Sequence, residues 1–196
     1  MSSEADKEIG GKGGEQEINL LEERRARIND GRIGVTQKRG DTALLRRAAA
    51  ADAMEVAEVF LAARRDALSF VPVLHSDDET RRWISSVVMI RCEVWVAILD
   101  DRIVGFLSVA GDLLDQLYVR PGFYRQGIGD RLLAKAKEMS PQRLHLFTSQ
   151  RNKRARAFYE ARGFVPIDFG DGARNEEREP DVLYEWVASE RWGRQC

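Results

Sequence analysis

Val119-Arg120-Pro121-Gly122-Phe123-Tyr124-Arg125-Gln126-Gly127-Ile128-Gly129-Asp130-Arg131-Leu132-Leu133 is the stretch on which the fold turns. An alternating apolar run ends at Val119, and Pro121-Gly122 turns the chain. A Gly-x-Gly pair then opens a segment in which Ile128, Leu132, Leu133 and Ala136 recur at helical spacing. Glycines let the main chain approach a ligand without side-chain interference. The first turn of a helix carries unpaired N–H groups and a partial positive charge. Strand, glycine turn and helix together make a phosphate site, built from the amides of Arg125, Gln126, Gly127, Ile128, Gly129 and Asp130. The alternative is that Gly127 and Gly129 serve only the turn and close helix packing. The stretch is not a Walker loop, because no Gly-Lys-Ser/Thr follows. Nor is it the dinucleotide fingerprint, because the third glycine is missing and the preceding strand belongs to an antiparallel meander.

Upstream, Glu93–Leu99 and Ile103–Val109 read as strands joined by the turn Asp100-Asp101-Arg102. Gly111-Asp112 is a turn or bulge before a third run, Leu113–Val119, with Leu113, Asp115, Leu117 and Val119 on one face. Earlier still, Thr42–Arg47 reads as a first strand. Asp52 with Glu55, and Ser76 with Glu79, read as capping boxes that open two helices. The first helix has Val56, Ala57, Phe60 and Leu61 at helical spacing, and the second buries Trp83, Ile84, Val87 and Val88. Downstream, Arg143–Phe147 is a strand, Asn152–Arg162 a helix stopped at Gly163, and Phe164–Ile167 and Val182–Trp186 the last strands. A polar loop, Asp168–Asp181, lies between those two. The order β-α-α-β-β-β-α-β-α-β-β gives an α/β (α+β) fold: a mixed, mostly antiparallel central sheet with helices on both faces.

The second informative segment is Asn152-Lys153-Arg154-Ala155-Arg156-Ala157-Phe158-Tyr159-Glu160-Ala161-Arg162-Gly163-Phe164. Asn152 and Tyr159 are seven residues apart, two helical turns, and share a face. Read alone, Asn152 is a helix N-cap and Tyr159 a core aromatic beside Phe158. Together with Tyr-Arg-Gln-Gly-Ile-Gly and the following Leu-Leu, the segment resembles the two cofactor motifs of the GNAT N-acetyltransferase superfamily. The resemblance spans most of Leu44–Trp186. It implies a GNAT-like acyl-CoA acyltransferase fold with acetyl-CoA as co-substrate. The loop amides would hold the pyrophosphate, Asn152 would contact the pantetheine arm, and Tyr159 would protonate the leaving thiolate. A thiolate has a pKa of about 8.5 and a phenol about 10, so a placed phenol can donate without being ionised at neutral pH. Tyr124 stands where the family often carries Gln or Arg, a departure at a motif whose work is mostly main-chain. In the family the strand before the turn splays from its neighbour, so Leu117, Tyr118 and Val119 are expected along the cofactor. Their N–H groups are candidates for the thioester oxyanion. Leu74-His75-Ser76 and Asn175–Asp181 resemble a recurring subgroup of small bacterial acetyltransferases.

The acceptor amine must lose a proton before it attacks. Asp115, on the strand entering the cleft, is the first candidate base, against a solvent-facing or ion-paired reading. His75 is the second candidate. His145 alternates with Leu144 and Leu146 and reads as structural. The loop Asp168–Asp181 is the expected acceptor wall, with Arg178 and Glu179 as substrate-binding candidates beside His75. The basic run Arg151, Lys153, Arg154 and Arg156 could reach cofactor phosphates, Arg156 being the one assigned to them, with a solvated helix face preferred for at least two of the four.

The 196 residues carry 43% hydrophobic and 32% charged side chains and a net charge of −1. That is one domain with excess chain, lacking the basic field of a nucleic-acid binder. The reading is a flexible charged leader at 1–40, in which Leu20–Arg25 is a short helix candidate. The domain follows at 41–187 and a tail at 188–196. Cys92 reads as a buried thiol and Cys196 as terminal; two cysteines and two histidines suggest neither a disulfide framework nor a metal site. With no signal-peptide core and no run of membrane-span length, the expectation is cytoplasmic, with no membrane or nucleic-acid partner. The function expected is direct acetyl transfer from acetyl-CoA to a primary amine of a small molecule or peptide. The competing classes are an acyl-CoA sensor or interaction module on the same fold and a nucleotide-binding domain. Homodimers are common in the resembled family, though no sequence feature here establishes one.

Overall fold

The computed structural model describes residues 43–188. The leader, its Leu20–Arg25 helix, Cys196 and the tail beyond Ala188 lie outside the described residues. Strand β1 (Leu44–Arg47) leads through a 3-10 turn (Ala50–Asp52) into helix α1 (Ala53–Ala67). Helix α2 follows as Asp77–Trp83, a π-helical turn Ile84–Val88, and Met89–Arg91. Then come β2 (Glu93–Leu99), β3 (Arg102–Ala110), β4 (Leu113–Val119), α3 (Ile128–Met139), β5 (Arg143–Ser149), α4 (Lys153–Glu160), β6 (Val165–Gly170) and β7 (Asp181–Val187).

The strands form one sheet in the order β1-β2-β3-β4-β5-β7-β6. Every neighbouring pair is antiparallel except β4–β5, so the mixed, mostly antiparallel sheet expected from the sequence is present. Asp100 and Asp101 both adopt positive φ, 50° and 58°, the conformation that a two-residue hairpin loop requires to match strand twist. β3 is the central strand. Its residues from Ile103 to Val109 are all buried, between two helical layers. Ile103 and Phe106 meet α1 and α2 through Val56, Val59, Phe60, Ile84 and Val88. Val104, Leu107 and Val109 meet α3 through Ile128, Leu132, Leu133 and Ala136. Burying each such aliphatic side chain is worth about 1.5–3 kcal/mol, so these two layers hold the sheet.

Three local readings differ from expectation. Asp52 does not open a box with Glu55. It is the third residue of the 3-10 turn, and its carboxylate reaches back to the Ala49 N–H at 2.6 Å and to Arg46 at 2.6 and 2.9 Å. The Arg46 hydrogen bond, aided by the Ala49 N–H and opposed by burial, holds Asp52 below the usual carboxylate range. Glu55 instead accepts the Ile103 N–H at 2.8 Å, tying α1 to the sheet. In α2 the Ser76–Glu79 box forms as read, with Ser76 N–H donating to Glu79 at 2.8 Å and Glu79 N–H to Ser76 Oγ at 3.3 Å. The π turn then rephases the helix. Ile84 and Val88 are fully buried, Val87 partly, and Trp83 keeps 36% of its surface exposed.

The third difference bears on the site. Ser108 pairs with Gln116 but Val109 pairs with Leu114, so Asp115 is an extra residue in β4. This β-bulge turns Asp115 away from Leu117 and Val119, which pack in the α3 layer. Asp115 faces the α1–α2 side instead, accepting from Ser108 Oγ at 3.1 Å and from Gln116 Nε2 at 3.3 Å.

Candidate active site

β4 and β5 share a single registered pair, Leu113↔His145, fixed by His145 N–H to Asp112 O at 2.8 Å. Beyond it the two strands separate, and the gap is the heart of the site. At the far end of β4 the chain is folded back by Arg120 N–H to Val104 O at 2.8 Å and Phe123 N–H to Arg120 O at 3.1 Å. Arg125 (φ 58°) and Gly127 (φ 91°) then wind it into α3 through left-handed conformations. Gly127 is the N-cap, and no side chain caps the helix, so its first-turn amides remain available to an anion. A Cβ on Gly129 would lie 3.3 Å from the Phe158 ring, so this glycine sets the approach of α3 to α4.

A cleft of about 240 Å³ opens over this turn. Leu117, Tyr118, Val119, Arg125, Gly127, Gly129, Asp130, Asn152 and Tyr159 line it, as the sequence placed them. The side chains of three expected cofactor residues do not, although for Gln126 and Ile128 the expectation concerned the main-chain amides. Ile128 is 1% exposed and sits in the core. Gln126 folds back on the loop, donating to Gly122 O at 3.0 Å. Arg156 is turned to Tyr184 Oη at 3.1 Å and Gln150 O at 3.2 Å, because its position on α4 faces β7. The cationic wall comes instead from Arg154 and Arg162, which with Phe158 occupy i, i+4, i+8 on one face of α4 and its C-terminal turn. That spacing is visible in the sequence and identifies them. Arg154 lies 3.9 Å over the Tyr124 ring, and the Tyr124 hydroxyl donates to Asp66 at 2.9 Å. Arg162 pairs with Asp130 and lies 3.7 Å over Phe158. Tyr124, the departure from the family string, thus ties the loop to the end of α1. Gly105 is a further close-approach position, beyond those the motifs mark. A Cβ there would meet Tyr118 O at 3.0 Å and Leu132 at 3.1 Å, and a glycine inside an apolar strand is the signal for such an approach.

Asn152 caps α4, its Oδ1 accepting the Ala155 N–H at 3.1 Å, and its amide group stays at the cleft. Tyr159 is packed edge-on between Phe158 (5.2 Å) and Phe164 (5.5 Å). Burial, and then the neighbouring Tyr118, push its phenol well above the ordinary value. No protein hydrogen bond to its hydroxyl is formed among the described residues. Schellman-type closure by Phe164 N–H to Tyr159 O at 3.1 Å, with Gly163 at φ 84°, fixes the helix end behind it.

On the other side of Tyr159 lies a second cleft of about 420 Å³, reaching Asp115, Glu177, Glu179 and Asp181. Leu117, Tyr118, Asn152, Ala155 and Tyr159 line both clefts, so the two meet there. Phe60, Arg64, Leu68, Val71, Trp83 and Glu177 continue it into a chamber of about 710 Å³ between α1, α2 and the 171–180 loop. His75 is on the chamber rim with Nε2 2.9 Å from Glu176, which raises its pKa. Glu179 lines the cleft, accepting from Ser149 Oγ at 2.9 Å. Arg178 turns back to Ala173 O at 3.3 Å and lines none of these cavities. His145 is bound to Glu185 at 3.2 Å and Asp112 at 3.5 Å. Cys92, expected buried, is only half so, with Sγ 3.9 Å from Asp115; burial and then that carboxylate push its thiol up.

A mixed sheet parted beside an uncapped glycine turn is a fold with counterparts among solved acetyltransferase structures. The solution structure of apo-form YjaB from Escherichia coli matches it with a TM-score of 0.64, at 21% identity over 76% of this chain and 99% of that one. The PaiA N-acetyltransferase from Thermoplasma acidophilum, crystallised in complex with coenzyme A, matches with a TM-score of 0.58, at 19% identity over 75% and 99%. Residues 91–166 match the acetyltransferase (GNAT) domain family. The peptidyl-lysine N-acetyltransferase YjaB of Salmonella typhimurium (strain LT2) is 36% identical over 72 residues, 36% of this chain. The chain spans about half, 49%, of the length of that curated relative. Over residues 91–166 the chain is thus similar to GNAT acetyltransferases, and its fold is one that these solved acetyltransferase structures share.

Proposed function

We propose that this protein transfers the acetyl group of acetyl-CoA directly to a primary amine of a small molecule or peptide. One observation carries the reading: the cleft over the glycine turn and the carboxylate-lined cleft are separate except where both touch Leu117, Tyr118, Asn152, Ala155 and Tyr159. Coenzyme A lies in the first, its diphosphate on the α3 amides with Arg154 and Arg162 nearby, its pantetheine in the gap between β4 and β5. The amine enters from the second. Asp115, directly or through water, takes the amine proton. The nitrogen attacks the thioester carbon, the carbonyl oxygen is held by main-chain N–H groups near Leu117–Val119, and the C–S bond breaks. Tyr159 donates its proton to the departing sulfur. Its raised pKa keeps that proton in place at neutral pH, as a donor requires. The acetyltransferase relative's name specifies peptidyl-lysine, which fits the same amine chemistry.

The test is release of free thiol from acetyl-CoA across a panel of amines, with the acetylated product identified by mass. Coenzyme A binding without thiol release for any amine refutes the enzymatic reading and leaves a sensor. Burst accumulation of an acetylated enzyme refutes direct transfer.

A further inference from the structure

The acceptor side has two parts of opposite character. The neck beside Tyr159 holds four carboxylates. Glu177 is paired with Arg64 at 2.6 Å and Glu179 with Arg151 at 3.5 Å. Among the described residues Asp115 has neutral partners only, Ser108 and Gln116, with Cys92 at 3.9 Å, whereas Asp181 accepts from Asn175 Nδ2 at 3.1 Å and lies in the field of Arg174. A carboxylate without an ion pair among the described residues, in a cleft whose lining cation Arg64 is already engaged, attracts an ammonium group.

The charged groups of the chamber beyond are already engaged with neighbours. Each of its charges has a partner: Arg64 with Glu177, Arg65 with Asp77 at 2.6 Å, His75 with Glu176 at 2.9 Å, and Glu79 with the Ser76 N–H at 2.8 Å. What remains as wall is apolar, chiefly Phe60, Leu61, Val71, Leu74 and Trp83. Leu74 and Trp83 keep 50% and 36% of their surface exposed there. The volume of about 710 Å³ falls in the range of about 300–1,000 Å³ that suits a compact organic ligand. A lysine in a peptide would bring flanking amides against a wall that is mostly apolar.

We infer that the acceptor is a primary amine carried on a compact apolar body of aromatic size, its ammonium at Asp115 and its body against Trp83 and Phe60. This rests on the acetyl-transfer reading for its chemistry, but not for its binding. The full chain is assayed for thiol release with 2-phenylethylamine, tryptamine, spermidine and an N-acetylated lysine hexapeptide. Binding of 2-phenylethylamine in the presence of coenzyme A is measured in parallel by calorimetry. The arylalkyl amines should exceed spermidine and the peptide at least tenfold in kcat/KM. Trp83→Ala should raise the KM for 2-phenylethylamine tenfold or more and leave that for acetyl-CoA within twofold. Leu74→Ser, on an exposed loop where folding is not at stake, should act in the same direction. Spermidine or the peptide used as well as the arylalkyl amines overturns the inference while acetyl transfer stands. No thiol release with any amine, together with calorimetric binding of 2-phenylethylamine that Trp83→Ala removes, supports the ligand class and refutes the transfer. No binding of 2-phenylethylamine to the native chain overturns the inference outright.

Discussion

Replacing Gly127 by Ala separates what the turn does for the fold from what it does for the ligand. Gly127 sits at φ 91° and begins α3 without a side-chain cap. A Cβ at such a φ costs about 1–2 kcal/mol. For a domain of this size that is a fall in melting temperature of about 2–8 °C. Gly122 is the matched control: φ 89°, nothing within 4 Å of a Cβ, and no part in the cleft wall. Gly122→Ala should lose about the same stability. The difference lies in binding. If relaxing the strain at Gly127 misdirects one α3 amide, the diphosphate loses one charge-assisted hydrogen bond, about 1.5–3 kcal/mol. That weakens coenzyme A by about tenfold to a hundredfold. Thermal denaturation and calorimetric titration with coenzyme A read the two quantities on the same preparations. Equal affinities for the two variants, or Gly127→Ala within twofold of the native protein, would refute the role given to the turn.

Tyr159→Phe should lower kcat by about 10²–10⁴-fold with the KM for acetyl-CoA within twofold, and should barely change stability because the hydroxyl has no hydrogen-bond partner among the described residues; steady-state kinetics and a melting curve check both. Because the Tyr159 phenol is pushed up, kcat should show no alkaline loss from this group below about pH 10, and a pH profile tests that. Glu176 raises the pKa of His75, so the contact stabilises the folded chain fully below the ordinary histidine pKa of about 6.5 and is lost as pH rises through the raised value. In Glu176→Gln the His75 ring should titrate lower by NMR, and an unchanged titration refutes the pairing. Ser76→Ala removes the N-cap of α2 and should cost about 1 kcal/mol, measured by denaturant unfolding.

How much was readable depended on whether the cause was local. The Ser76–Glu79 box and the buried face of α3 depend on residues three and four apart, and both appear as read. The Asp52–Glu55 box failed because a 3-10 turn shifted the helix start by one turn, and Ala49 offers no oxygen to advertise it. The aim of Asp115 was hidden for a different reason. Leu113 and Leu114 are both apolar, so the pattern admits either register, and only pairing with β3 decides it. The acceptor side was least legible. Arg64–Glu177 and His75–Glu176 join residues 113 and 101 positions apart, and nothing local marks either partner.

The single registered pair between β4 and β5 has a consequence for how the molecule breathes. Four strands are laced on one side of it and three on the other, so each group can loosen without dragging the other along. A ligand seated in the parting would act as a weld. Amide hydrogens on both margins should then exchange more slowly together, and a solvent-exchange map would show a seam disappearing rather than a loop closing.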